Sequence, residues 1–194
     1  MNPVQWLGDA LRVLDQRFLP KREVYLTLKT WEEVAEAISG MAVRGAPLIG
    51  ITAAYGLALA QLRGENLEEA ARGLRKTRPT AVNLLWALER VLRAEDPVAE
   101  ALRIHEEERE RCLRMAEHGA ELLSPGSRVM TICNTGSLAT GGIGTALGVI
   151  KLGYKKGLVR EALVLETRPW LQGSRLTAWE LEREGVPHLS LIHI

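Results

Sequence analysis

The stretch Cys133-Asn134-Thr135-Gly136-Ser137 combines a thiol, an amide, two hydroxyls and a glycine within five positions. It follows the short β-branched run Val129-Met130-Thr131-Ile132 and precedes a helical pattern, so the thiol falls where a strand hands over to a helix. Ligands of open α/β sheets bind at the carboxyl ends of the strands, and a thiolate is favoured near a helix N-terminus. The competing reading is that Cys133 is a small buried hydrophobe. Glu166-Thr167-Arg168-Pro169-Trp170-Leu171-Gln172-Gly173 follows the second apolar run, Ala162-Leu163-Val164-Leu165, and should leave the same sheet edge. Gln172 offers an amide to a sugar hydroxyl, while Glu166 and Arg168 read either as a loop-fixing ion pair or as chemistry. Two further segments, Met41-Ala42-Val43-Arg44-Gly45-Ala46-Pro47 and Arg78-Pro79-Thr80, set an arginine ahead of a helix start. A guanidinium beside exposed backbone N–H groups is the material of an anion site, although surface arginines without function share this pattern.

Other chemistry is poorly supported. Gly141-Gly142-Ile143-Gly144, with Glu166 at the end of the next strand, suggests a dinucleotide fingerprint, but the third glycine would fall on Leu147. These glycines begin eight positions after the thiol, inside the helical region, where close packing explains them. His105, Cys112 and His118 have no usual metal-ligand spacing, so neither a metal nor a cofactor is expected. The chain of 194 residues carries 25 Lys and Arg against 24 Asp and Glu, a balance without the basic excess that binds nucleic acid. No run reaches the roughly 18 apolar residues of a membrane span. Asp9, Arg12, Asp15 and Arg17 interrupt any secretory leader, which leads us to expect a cytoplasmic protein with free thiols at Cys112 and Cys133.

The elements that must position these residues fall into two groups. Residues 1–123 read as a mostly helical domain, with apolar residues at three- and four-residue spacing through Trp31, Val34, Ala35 and Ile38 and again from Leu84 to Leu92. Within it, Val24–Leu28 reads as a strand, and Leu67–Arg78 and Asp96–Gly119 as amphipathic helices. The turn cluster Ser124-Pro125-Gly126-Ser127 marks a boundary. Residues 124–194 then read as strand, a helix from about Leu138 to Gly153, strand, a helix over Arg175–Glu184, and a strand from about Val186. The fold class is α/β: a helical domain followed by the first half of a Rossmann-like, doubly wound parallel sheet. Such sheets hide their edges, so we expect either further chain or a partner to cover the strand that closes the sequence.

Taken in order, five segments resemble the S-methyl-5-thioribose-1-phosphate isomerase family. They are Asp15–Pro20, Val43–Ala54, Arg78–Leu84, Cys133–Gly136, and Glu166–Pro169 with Leu171-Gln172-Gly173. The same superfamily holds ribose-1,5-bisphosphate isomerase and the regulatory subunits of the eukaryotic initiation guanine-nucleotide exchange factor. Those non-enzymatic subunits are expected to lack the thiol, which directs the reading toward an enzyme. The resemblance implies an aldose-ketose isomerisation in methionine salvage, from 5-methylthioribose 1-phosphate to 5-methylthioribulose 1-phosphate. It assigns Arg44, Gly45, Ala46 and Arg78 to the phosphate, Gln172 to the sugar, and Cys133 to the reacting carbons as base or transition-state stabiliser. It also implies a homodimer with no cofactor. The alternatives are the bisphosphate isomerase, which would need extra cations near C5, and a non-catalytic interaction module. The family's general acid is an aspartate on a later strand, before an Asn-Lys pair, and the sequence stops at Ile194 ahead of any such segment. His188–Ile194 also departs from the family's continuation through Asp-Ser-Ala. The expectation is a truncated or frame-disrupted copy with very poor turnover, which an ordinary isomerisation rate from the purified 194-residue chain would refute.

Overall fold

The computed structural model describes residues 2–191, and the chain divides into two compact units. Asn2–Phe18 and Glu23–Glu108 form one; Leu19–Arg22 and the chain from Arg109 onward form the other.

The first unit opens with three short antiparallel strands, β1 (Val4–Trp6), β2 (Leu11–Leu14) and β3 (Tyr25–Leu28). Only β3 is legible from composition. β1 and β2 have three and four residues, too few for alternation to be recognised, and Gly8 turns the chain between them with φ +100°. Helix α1 (Trp31–Ser39) starts at a capping box in which Thr30 accepts the Glu33 amide and the Glu33 carboxylate accepts the Thr30 amide. Helix α2 (Ala46–Leu62) is buried on every side from Leu48 to Ala60 and forms the centre of this unit's core. Helices α3 (Leu67–Thr77) and α4 (Val82–Leu92) follow, and the long α5 (Pro97–Glu121) contains the point at which the two units divide.

In the second unit, β4 (Ser127–Ile132), β5 (Val159–Leu165) and β6 (His188–Leu191) pair in parallel, in that order. This is the α/β architecture read from the sequence. Helices α6 (Ser137–Thr140) and α7 (Ala146–Lys155) connect β4 to β5. A π-helical turn (Gly173–Thr177) running into α8 (Ala178–Arg183) connects β5 to β6. Leu147, Ile150, Val159, Ala162, Val164, Leu181 and Val186 make the core beneath the sheet. Residues 192–194 of the expected last strand lie outside the described residues.

One expectation is corrected: the helix from Leu138 to Gly153 is two helices. Gly141 ends α6 in a left-handed conformation (φ +78°), and Gly144 (φ +111°) brings the chain back so closely that its Cβ position would stand 2.7 Å from the Gly136 Cα. A side chain at that position is therefore excluded twice, by conformation and by space.

Candidate functional site

Cys133 directly follows β4, half-buried, and holds a left-handed backbone with φ +65°. Among the described residues only three non-glycine positions do so, and each stands close to a candidate segment: Met41 (φ +61°) before Arg44, Cys133 itself, and Leu171 (φ +52°) before Gln172. A left-handed non-glycine residue costs roughly 1–2 kcal/mol, so its surroundings must hold it there. Around Cys133 those surroundings are specific. Its carbonyl oxygen accepts the Thr177 hydroxyl at 2.5 Å, and the Thr177 hydroxyl oxygen accepts the Asn134 amide at 3.2 Å.

The glycine-rich segment holds the other flank of this loop. Thr145 N donates to the Thr135 carbonyl at 2.9 Å, Leu147 N donates to Thr135 Oγ1 at 3.1 Å, and Gly136 pairs with Gly144 as an isolated antiparallel bridge. These glycines serve the close approach of two backbone segments, as their distance from the thiol suggests.

Behind the loop lies an ion pair that residue spacing does not reveal. Glu180 of α8 is 0% exposed and Lys151 of α7 is 1% exposed, with Nζ and Oε2 2.7 Å apart. The Glu180 carboxylate also accepts Ser137 N at 2.8 Å, Leu138 N at 3.2 Å and Asn134 Nδ2 at 2.9 Å. A carboxylate has about four acceptor sites, and here four donors fill them. The only signals in the sequence are a lysine among apolar neighbours in Val149-Ile150-Lys151-Leu152 and a glutamate between Trp179 and Leu181, patterns also common at helix surfaces. Gly136 makes the arrangement possible, because a Cβ there would stand 2.3 and 2.4 Å from the two Glu180 carboxylate oxygens. Gly136→Ala is accordingly expected to cost about 1–3 kcal/mol of stability by overpacking, measured as the shift in urea unfolding. A variant as stable as the parent would show that the carboxylate can move aside.

The loop after β5 carries Glu166 and Gln172. Because β4 and β5 are adjacent parallel strands, this loop leaves the sheet at the same edge as Cys133. The ion-pair reading of Glu166 is corrected here. Its carboxylate is occupied by backbone amides, accepting Thr167 N at 2.9 Å, Gly173 N at 2.7 Å and Ser174 N at 2.9 Å, whereas Arg168 is exposed. Burial pushes the Glu166 carboxyl upward, but the hydrogen bonds from Ser174, Thr167 and Gly173 outweigh it and hold the group below its ordinary 4.5. The stability this depression supplies is full above the unfolded value and is lost as pH falls through the folded value. The Gly173 and Ser174 amide resonances should therefore titrate with a midpoint below 4.5. A midpoint at or above that value would mean the amides do not engage the carboxylate. Gln172, half-buried, stands at the N-cap position of the π-helical turn without a side-chain capping bond, and its Oε1 accepts the Thr167 hydroxyl at 2.5 Å.

The remaining candidates lie in the first unit. Gly45 (φ +85°) is the N-cap of α2; no side chain caps that helix, and proline stands in its first turn. Arg44 directly precedes the cap and is half-buried, and Ala46 opens the helix. Arg78, also half-buried, closes α3. The start of α4 meets α2 where Gly50 leaves only 2.7 Å between a Cβ position and the Asn83 carbonyl oxygen. Of the dismissed metal candidates, His105 Nδ1 lies 2.9 Å from the Tyr55 hydroxyl in the core of this unit, and Cys112 is fully buried. No described helix is long and apolar enough to cross a membrane.

Known proteins share both the sequence and this architecture. A protein of Synechococcus sp. (strain CC9605) named methylthioribose-1-phosphate isomerase is 53% identical over 94% of this chain, which in turn covers 57% of that relative. The crystal structure of 5-methylthioribose 1-phosphate isomerase from Pyrococcus horikoshii superposes with a TM-score of 0.89 at 40% identity, over 97% of this chain and 59% of that one. The structure of translation initiation factor eIF-2B subunit delta from A. fulgidus gives a TM-score of 0.88, also at 40% identity, over 98% of this chain and 62% of that one. The chain thus spans roughly three fifths of the length of each. Residues 42–193, which run from the Arg44 segment through the Cys133 loop and the Gln172 turn, match the initiation factor 2 subunit family, and the chain belongs to it.

Proposed function

We propose that the protein to which these residues belong converts 5-methylthioribose 1-phosphate into 5-methylthioribulose 1-phosphate. The observation that carries this reading is the 53% identity, across 94% of the chain, to a relative named for that isomerisation. The intact Cys133-Asn134-Thr135-Gly136 loop at the carboxyl edge of a parallel sheet supports it. The reaction is demanding because the anomeric phosphate prevents the spontaneous ring opening of free aldoses. The ring oxygen must receive a proton as its bond to C1 breaks, and hydrogen must then leave C2 and arrive at C1 while C2 becomes the carbonyl carbon. In this reading Arg44, Gly45, Ala46 and Arg78 hold the phosphate; a helix start with no side-chain cap, preceded directly by Arg44, is suited to an anion. Gln172 binds a sugar hydroxyl, and Cys133 acts at C1 and C2 as base or stabiliser. The protein works as a cytoplasmic homodimer without a metal or other cofactor.

The test is turnover of the two candidate sugars by the whole protein to which these residues belong, purified. We expect the methylthio sugar phosphate to be converted with kcat/KM at least about tenfold above that for ribose 1,5-bisphosphate, because a site shaped for an apolar C5 substituent leaves a second phosphate desolvated and unpaired. Preference for the bisphosphate would transfer the assignment to that isomerase. Conversion of neither sugar would favour the non-catalytic interaction module.

A further inference from the structure

The segment from Gln172 to Glu180 is fixed at both ends by buried or half-buried carboxylates. Glu166 accepts Gly173 N and Ser174 N at its start, and at its end Glu180 reaches into the loop that bears Cys133. Thr177 and Glu180 stand three residues apart, which places them on one helical face. Both address the same target. Thr177 donates its hydroxyl to the Cys133 carbonyl and accepts Asn134 Nδ2, while Glu180 accepts Asn134 Nδ2 and the two amides that follow Gly136. Every one of these bonds is to the Cys133 carbonyl or to the loop residues 134–138 that follow it.

We propose that Thr177 and Glu180 are positioning residues for the Cys133 thiol, holding its loop in the left-handed conformation and tying it to the turn that carries Gln172. The proposal rests on the reading that Cys133 acts at the reacting carbons, and it deepens that reading by naming what aims the thiol. Thr177 has one hydroxyl proton and spends it on the Cys133 carbonyl, so no water or alternative donor is needed to satisfy that group. Without this bond, and without the Glu180 carboxylate behind Asn134 and Ser137, the cost of the left-handed backbone is no longer offset and the half-buried Cys133 side chain loses its fixed orientation.

The experiment is alkylation of the chain by iodoacetamide at fixed pH, followed peptide by peptide with mass spectrometry. Cys112, fully buried, serves as an internal reporter of unfolding. In Thr177→Val, which keeps the shape and removes the hydroxyl, Cys133 should be alkylated at least threefold faster than in the parent while Cys112 stays protected. Thr177→Ser, which restores the donor, should return to within twofold of the parent. Unchanged or slower alkylation in Thr177→Val, or a Thr177→Ser rate equal to that of the valine variant, overturns the proposal. Should Cys112 become reactive in Thr177→Val, the same threefold criterion applied to Thr177→Ala decides the matter. No sugar is present, so the result is independent of turnover. Failure of the isomerase reading shows as unaltered turnover in Cys133→Ala, and failure of the clamp shows as unaltered alkylation.

Discussion

Replacing Cys133 with alanine is expected to lower kcat for the sugar phosphate by about 10²–10⁴-fold, the range by which a positioned acid-base group contributes. The folded state should be nearly unaffected, since the side chain is half-buried and the clamp on this residue engages its backbone carbonyl. KM should change little if the phosphate is held by Arg44 and Arg78, because loss of a group that acts only in the transition state leaves ground-state binding intact. Steady-state kinetics together with urea unfolding of the same variant separate these effects. A variant retaining more than a tenth of the parent kcat would remove Cys133 from the chemistry. If every other property also survived, the family's non-enzymatic subunits would become the better comparison.

The second large effect concerns stability. Glu180→Leu leaves Lys151, 1% exposed, without the carboxylate that lies 2.7 Å from its ammonium, and it removes the carboxylate to which the Ser137 and Leu138 amides donate. Breaking a buried pair in this way costs about 3–5 kcal/mol, because the surviving charge stays desolvated and loses its close carboxylate. Lys151 retains Ser137 Oγ at 3.2 Å and Glu184 Oε1 at 3.8 Å, neither of which replaces the lost partner. Adding Lys151→Met to Glu180→Leu should recover part of the loss, so the double variant is less destabilised than the sum of the singles. Recovery stays incomplete, since the bonds from Asn134, Ser137 and Leu138 to the Glu180 carboxylate are not restored. Chemical denaturation of the four proteins in the cycle supplies the measurement. A cost below about 1 kcal/mol for Glu180→Leu would mean that water reaches the pair, because that is the scale of exposed ion pairs.

What the sequence determined by itself was the order and type of the larger elements, because each reports through periodicity or turn chemistry that neighbours in the chain supply. The α3 and α5 patterns end within two residues of their predicted limits, and the parallel strands β4 and β5 were announced by a β-branched run after a glycine and proline turn and by a short apolar run. It also determined that Cys133 would follow a strand and that Gln172 would leave the same edge, since both follow from position along parallel strands. Short elements escaped it: β1 and β2 are defined by partners across a sheet rather than by their own three or four residues. The break between α6 and α7 escaped for a related reason. Gly144 is required there by Gly136, eight residues earlier and brought near only by folding. The tertiary structure alone decided the role of Glu166, whose partners are amides in a loop that closes on itself, and of Lys151, Thr177 and Glu180, which meet the Cys133 loop from α7 and the π-helical turn into α8. The physical reason is that a buried charge is tolerable only opposite a partner, and partners separated by 29 residues, as Lys151 and Glu180 are, leave no periodicity in the chain to announce them.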